Sequence, residues 1–106
     1  MKFEVEYING KRNDKGKEYD ENGVLKFEGE YLNGKRNGYG IEYGKNYVST
    51  FQGEYLNGQR NGKGKEYYDD GTIKFEGEYL NGQSWNGKAY ENGKMYLQVK
   101  DGINWL

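Results

Sequence analysis

The sequence predicts an all-β protein, an elongated single-layer antiparallel sheet of stacked β-hairpin repeats, about four and a half in number. Nearly the same phrase begins at Phe3, Phe27, Phe51 and Phe75, with a constant period of 24 residues. A fixed period of this size is the sequence signature of a repeat architecture. Within each phrase aromatic residues alternate with polar ones, which is the pattern of a strand that has one packed face and one solvated face.

The first strand of each repeat is typified by "FEGEY" at residues 27–31. Phe27, Gly29 and Tyr31 share one face, and Glu28 and Glu30 share the other. A glycine inside a strand weakens it unless a neighbouring ring lies over the bare backbone. We therefore expect Phe and Tyr rings to stack from repeat to repeat above these glycines, with the tyrosine hydroxyls at the solvated rim.

A tight turn and a second strand complete the repeat. In "NGKRNG", Asn-Gly pairs bracket Lys35 and Arg36, and such pairs tolerate the positive φ of hairpin turns. A short strand, "YGIEY", then runs from Tyr39 to Tyr43. A helix is disfavoured because glycine recurs at nearly every fourth position, at a cost of about 1 kcal/mol each time.

The chain is predicted to be a single repeat domain, residues 1–106. Its repeats start at residues 3, 27, 51 and 75, and a C-terminal half repeat and cap follow at 95–106. The fourth repeat departs from the pattern after Gly82, where we interpret Trp85 as an insertion. Because terminal repeats must close the stack, Trp85 and Trp105 are predicted to be cap residues.

The residue types argue against an enzyme. The chain has no His and no Cys, so the usual nucleophile–base pairs are absent. Its paired glutamates recur on every first strand, which is typical of a solvated face and not of a glycosidase pocket. No Asp-rich loop has Ca²⁺-binding spacing. We therefore predict no catalytic residues, no metal and no cofactor.

The recurring F-E-G-E-Y-x-N-G-x-R-N-G-x-G resembles the MORN repeat, the membrane occupation and recognition nexus motif. Its spacing looks closer to the variant repeats common in bacteria and some protists. The resemblance implies an elongated run of β-hairpins with a binding role, toward other proteins or toward membranes. We therefore expect a non-catalytic scaffold for protein–protein interaction or self-association.

Two alternatives follow from the surface residues. The first is weak peripheral binding of an anionic phospholipid surface, at about 1 kcal/mol per nearby basic residue. The basic residues of the first turns would line one edge of the stack: Lys11, Arg12, Lys35, Arg36 and Arg60. The weaker second alternative is carbohydrate binding on exposed tyrosines.

The net charge and the lack of long apolar segments limit the classes of partner and the cellular location that we expect. A net charge of −1 disfavours nucleic acid. No apolar run approaches the roughly 18 residues of a transmembrane helix. Because the first repeat already begins at Phe3, we expect no signal peptide. We therefore expect a cytoplasmic protein whose partner is another protein or a second copy of itself.

The second repeat is the candidate for a specific protein-binding site. Tyr39 and Ile41 stand where the first repeat has Lys15 and Lys17 and the third has Lys63 and Lys65. Tyr47 stands in a turn where the corresponding residue is Gly in the other repeats. Because lysines at equivalent sites imply a solvated face, these residues are predicted to form an exposed apolar patch rimmed by charge. The alternative is that Tyr39 and Ile41 pack locally against Tyr47 and Val48.

Overall fold

The computed structural model describes residues 2–6 and 14–105. This part of the chain forms one ten-stranded antiparallel sheet whose strands lie in sequence order, about 46 × 29 × 19 Å in extent. The prediction of an elongated single layer of hairpins is confirmed. The strands are β1 (Lys2–Glu6), β2 (Asp14–Tyr19), β3 (Leu25–Leu32), β4 (Lys35–Tyr43), β5 (Ser49–Leu56), β6 (Gln59–Tyr67), β7 (Ile73–Leu80), β8 (Gln83–Glu91), β9 (Lys94–Lys100) and β10 (Ile103–Trp105).

The core is a continuous row of aromatic rings on one face of the sheet. Phe27 and Tyr31 meet edge to face at 5.8 Å within their repeat, and Phe27 meets Tyr55 of the next repeat at 5.2 Å. This geometry is favourable beyond the burial of area. The same contacts continue through the following repeats, and the buried rings are Phe27, Tyr31, Phe51, Tyr55, Phe75 and Tyr79.

Strand glycines make room for these rings, as the sequence predicts. A Cβ atom on Gly64 would lie 2.7 Å from two atoms of the Phe51 ring and 3.0 Å from the Tyr79 ring. Gly53, opposite Gly64 in the ladder, would meet the Gly64 Cα at 2.6 Å. The glycine pairs therefore let the rings lie directly on the backbone of adjacent strands.

The first Asn-Gly pair of each inner repeat forms the predicted turn, whereas the second lies inside a strand, because β4 begins at Lys35 and not at Tyr39. Asn33 and Gly34 both have positive φ, 52° and 79°, and Asn57 and Gly58 repeat this with 50° and 88°. Two consecutive residues with positive φ form a type I′ turn, whose twist matches that of the flanking strands.

The hairpins β3–β4, β5–β6 and β7–β8 each contain a bulge, which the sequence did not predict. In the register of β3 and β4, Gly29 faces Gly40 and Tyr31 faces Arg36, so one residue on β3 faces three on β4. The Glu30 carboxylate accepts the Tyr39 backbone N–H at 2.7 Å, and Glu54 accepts that of Lys63 at 2.6 Å. These glutamates thus satisfy a backbone donor that the bulge leaves without a ladder partner.

In the fourth repeat two sets of contacts give Trp85 different counterparts. The Gly102 N–H donates to the Trp85 carbonyl at 2.9 Å, as that of Gly82 donates to Arg60 and that of Gly58 to Arg36. In the ladder, however, Ser84 faces Tyr79 as Arg60 faces Tyr55, and Trp85 lies at the register shift between Ser84 and Asn86. The Trp85 ring would lie 2.9 Å from a Cβ on Gly102. Trp105, predicted to be a cap, is 55% exposed on the last strand.

Candidate functional site

The face opposite the aromatic core carries mostly charged side chains. Strand alternation places these residues away from the rings, in rows that the ladder register aligns across the sheet. We call this surface the charged face. From β2 to β8 it includes Lys15, Lys17, Glu28, Glu30, Tyr39, Ile41, Gln52, Glu54, Lys63, Lys65, Glu76, Glu78 and Lys88.

Arg36 and Arg60 of the predicted anionic-ligand row lie on the aromatic face. The Arg36 guanidinium carbon lies 3.9 Å from the Phe27 centroid, and its Nε and Nη2 donate to Glu18 at 2.8 and 3.0 Å. Arg60 lies 4.0 Å from the Phe51 centroid and donates two hydrogen bonds to Glu42 at 2.9 and 3.0 Å. Each arginine thus combines a cation–π contact with a bidentate ion pair.

The core tyrosines bind the same carboxylates. Tyr31 donates its hydroxyl to Glu18 at 2.5 Å, and Tyr55 donates to Glu42. The expectation that these hydroxyls stand at a solvated rim is therefore wrong, because a partly buried carboxylate accepts them. The signal was present in the sequence: Glu18 and Glu42 lie two residues after Gly16 and Gly40 and so share the aromatic face.

This cluster shifts the pKa of its members. Burial raises the pKa of Glu18 and Glu42, but the hydrogen bonds from the arginines and tyrosines outweigh it, and the pKa of both carboxyl groups falls below its usual range. Burial raises the pKa of the Tyr31 and Tyr55 hydroxyls, and donation to a carboxylate raises it further. The cluster is therefore a structural ion-pair network and not an acid–base pair poised near neutral pH.

The described members of the predicted anionic-ligand row, Lys35, Arg36 and Arg60, do not form one free basic edge. Lys11 and Arg12 lie outside the described residues. Arg36 and Arg60 are engaged in the ion pairs of the aromatic face, while Lys35 is exposed and alternates to the opposite side. An anionic ligand at either arginine would have to displace a carboxylate and uncover a core ring.

Tyr39 and Ile41 lie on the charged face, at the middle of its length. Tyr39 is 49% exposed and its hydroxyl lies 3.3 Å from Gln52 Oε1. In the ladder Ile41 stands between Glu28 of β3 and Gln52 of β5. Glu28 accepts a hydrogen bond from Tyr43 at 2.5 Å.

Shallow depressions flank Tyr39 on both sides. One is lined by Lys15, Lys17, Glu28, Glu30 and Ile41 together with Tyr39. The other is lined by side chains that include Glu30, Gln52, Glu54, Lys63, Lys65 and Tyr67. The Tyr39 ring therefore stands between two charged hollows, and a partner could contact it from either side.

Tyr47 lies apart from this surface, in the loop after β4. It belongs to the short 3₁₀ turn Lys45–Tyr47, is 62% exposed and has a φ of 59°, next to Asn46 with a φ of 55°. A tyrosine at positive φ is uncommon, so replacing the turn glycine gave a different turn that presents the ring to solvent. The three predicted protein-binding residues thus form a pair on the sheet and one separate loop residue.

The part of the chain that the structure describes shows neither a metal site nor a membrane-spanning helix. Residues 15–105 contain no group of three or more acidic side chains placed to hold a metal ion. No helix of the described residues is long and apolar enough to cross a membrane.

The central repeats match a known family. Residues 27–48 and 51–73 each match the MORN repeat. Both matched segments consist of the strand, turn and strand described above, so the geometry and the family agree. No curated protein was found to be similar to this chain.

Proposed function

We propose that this chain, which carries MORN repeats at residues 27–48 and 51–73, is a non-catalytic scaffold that binds protein through the charged face around Tyr39 and Ile41. MORN repeats and an all-β repeat fold are consistent with a binding role. We place its partner, another protein or a second copy, in the cytoplasm.

The exposed Tyr39–Ile41 pair is the observation that supports this function. A half-exposed tyrosine next to an isoleucine replaces two lysines of the neighbouring repeats, at a position where lysine is compatible with the same strand pairing. The fold therefore does not require the apolar pair. Exposed tyrosines within a polar rim are enriched at binding hot spots.

Site-specific photo-crosslinking tests the proposal. A benzophenone amino acid at position 41 should crosslink a protein in cell extract. The same group at position 103, an exposed isoleucine on β10, should give far less product. Replacing Tyr39 and Ile41 by lysine should leave the sheet folded and abolish the crosslink made from position 52 across the ladder. Equal crosslinking from positions 41 and 103, or none from either, would contradict the proposal.

The lipid alternative has less structural support, because two of its five residues are held in ion pairs. If the remaining basic residues bind vesicles of anionic phospholipid, binding should disappear near physiological salt, where exposed charges are screened over about 8 Å. Vesicle flotation that persists at that salt concentration would favour the lipid function. Binding to immobilised polysaccharide lost on Tyr39→Lys would favour the carbohydrate alternative.

A further inference from the structure

We infer that the partner of the charged face is a second copy of this chain, packed face to face about a two-fold axis that runs parallel to the strands between β4 and β5. The inference rests on the proposed function, since it names the partner of the same surface. It follows from the order of charges along the sheet, from the position of the uncharged residues and from the area available.

Charge on this face alternates in sign from strand to strand. Lys17 of β2 stands opposite Glu28 of β3, and Lys65 of β6 stands opposite Glu76 of β7. Within the chain these neighbours are loosely paired: Lys65 and Glu76 approach to 3.7 Å, and Glu28 has no cation within 4 Å among the described residues. The charged pairs of the four strands are Lys15 and Lys17 on β2, Glu28 and Glu30 on β3, Lys63 and Lys65 on β6, and Glu76 and Glu78 on β7.

This alternation selects the register of a two-fold pair. If the axis passed through a strand, each charged strand would pack on a strand of the same charge in the other copy. An axis between adjacent strands sets acidic strands on basic ones. Between β4 and β5, it places β3 on the partner's β6 and β2 on the partner's β7. Opposed potentials of this kind fix register and suppress other arrangements.

The uncharged residues select the axis. Tyr39 and Ile41 on β4 replace lysines, and Gln52 on β5 replaces the glutamate found at positions 28 and 76. With the axis between β4 and β5, Ile41 lies over Gln52 of the other copy, and both copies contribute Tyr39 and Ile41 to the centre. An axis one strand to either side would set these apolar side chains on a pair of glutamates.

The resulting interface has the usual distribution of residue types. Interface cores are depleted of charge and enriched in tyrosine, and their rims are polar. Here the central strands of each copy carry Tyr39, Ile41 and Gln52, with Glu54 as the charged side chain of these two rows. The strands that carry the lysines and glutamates, β2, β3, β6 and β7, lie outside these two central strands. The two departures from the repeat pattern, at β4 and β5, thus coincide with the centre of the pair.

The area is sufficient for a specific dimer. Eight strands, β1 to β8, overlap their counterparts over about 38 Å, and five residues of each strand give about 17 Å of width. Roughly 650 Å² would therefore be covered on each copy, near the ~800 Å² per partner of standard interfaces. Packed sheets lie about 10 Å apart, which leaves space for both sets of side chains.

Sedimentation equilibrium of the purified chain tests the association. Because most of the contacts pair exposed charges, we expect dimer at about 10 mM salt and monomer at about 1 M, as the screening length falls from ~30 to ~3 Å. Lys15→Gln with Lys17→Gln, which removes attraction without adding repulsion, should raise the dissociation constant about tenfold or more. A monomer at both salt concentrations would overturn the inference.

Charge reversal tests the register. K15E/K17E alone and E76K/E78K alone should each be monomeric, because like charges then meet on β2 and β7. An equimolar mixture should form a heterodimer, since every opposed strand pair is again unlike in charge. The matched control is K63E/K65E mixed with E76K/E78K. It also combines an acidic and a basic variant, but one of its two β2–β7 pairs and one of its two β3–β6 pairs bring like charges together. This is as many like pairs as in either variant of the test mixture alone, so no dimer should form.

The outcomes separate the inference from the proposed function. Circular dichroism of the tyrosine band verifies that each variant is folded. If a charge-reversed variant does not fold, the variant with Lys15→Gln and Lys17→Gln replaces it as the test of the interface. A control mixture that dimerises as well as the test mixture would show charge attraction without this register and overturn the inference. A monomer that still crosslinks a different protein from position 41 would overturn the inference and leave the scaffold function standing.

Discussion

Arg60 covers the Phe51 ring while its guanidinium binds Glu42 and Glu66. In a single-layer sheet no second layer covers the aromatic row, so a side chain with an apolar stem and a charged head is needed. The Phe51 ring, with no exposed surface, shows how complete this cover is. At this scale the fold is stabilised by charged residues that lie over the core.

We expect Arg60→Ala to lower the free energy of unfolding by about 2–3 kcal/mol. The substitution leaves two partly buried carboxylates without their cation and uncovers a core ring, and the partial exposure of the ion pair keeps the loss below that of a fully buried pair. Urea denaturation followed by tyrosine fluorescence measures the change.

Lys35→Ala is the matched control, because Lys35 precedes Arg36 in the same turn and is exposed. Its effect should stay within about 0.5 kcal/mol, as for surface substitutions in general. Equal losses for the two variants would show that the arginine does not cover the core.

Each hairpin depends on glycines of two different kinds. Gly58 sits in a turn at a φ of 88° with no atom within 4 Å of a Cβ, so its role is conformational. Gly64 lies inside β6 beneath the Phe51 and Tyr79 rings, so its role is to leave space. The residue type is the same, but the physical requirement differs with the place in the element.

We expect Gly64→Ala to destabilise the protein by about 2–3 kcal/mol, because the added methyl group must displace two core rings or the strand itself. Gly58→Ala should cost about 1 kcal/mol through its positive φ, and Gly58→Asn less, since asparagine tolerates that conformation. Thermal unfolding of the three variants distinguishes these mechanisms. A smaller loss for Gly64→Ala than for Gly58→Ala would contradict the space requirement.

The whole molecule is held together by contacts between consecutive repeats. Tyr55 and Arg60 of the third repeat bind Glu42 of the second, and the Gly82 N–H binds the Arg60 carbonyl. Tyr31 and Arg36 of the second repeat bind Glu18 of the first in the same way. Stability is therefore a sum of nearest-neighbour terms, as in other repeat proteins.

These repeated contacts predict a loss of stability in acid. The pKa of Glu18 and Glu42 is lower in the folded chain than in the unfolded one. Their contribution is therefore complete above the unfolded pKa of about 4.3 and is lost as the pH falls through the folded value. The urea midpoint should be constant from about pH 7 to 5 and fall below about pH 4. The Arg60→Ala variant should show a smaller fall, and an equal one would contradict the assignment to Glu42.

Alkali should also unfold the chain, for the opposite reason. Burial raises the pKa of the Tyr31, Tyr55 and Tyr79 hydroxyls, and burial with a bond to Glu28 raises the pKa of Tyr43 to about 12. The neutral hydroxyls contribute fully below the unfolded pKa of about 10, and this is lost as the pH rises above it. Absorbance of tyrosinate should rise together with the loss of circular dichroism, and complete ionisation in a folded chain would contradict the buried hydroxyls.

Much of the architecture follows from local pattern. The alternation in "FEGEY" placed Phe27 and Tyr31 in the core, and the Asn-Gly pairs placed the turns, because both signals act between neighbouring residues. The position of Tyr39 and Ile41 on the charged face was predicted correctly, because other repeats have lysines at the equivalent positions. Arg36 and Arg60 were misplaced, since a turn signal does not say on which face a flanking side chain lies.

The sequence by itself determined the repeat, its strands, its turns and its two faces, because period-two alternation and turn chemistry are local properties of the chain. Only the tertiary structure decided what the polar residues do. The glutamates that close bulges and those that bind arginine over the rings come from the same alternating pattern, and their partners lie 6 to 18 residues away. Which carboxylate meets which donor depends on the register and bulges of the assembled sheet, and no single repeat contains that information.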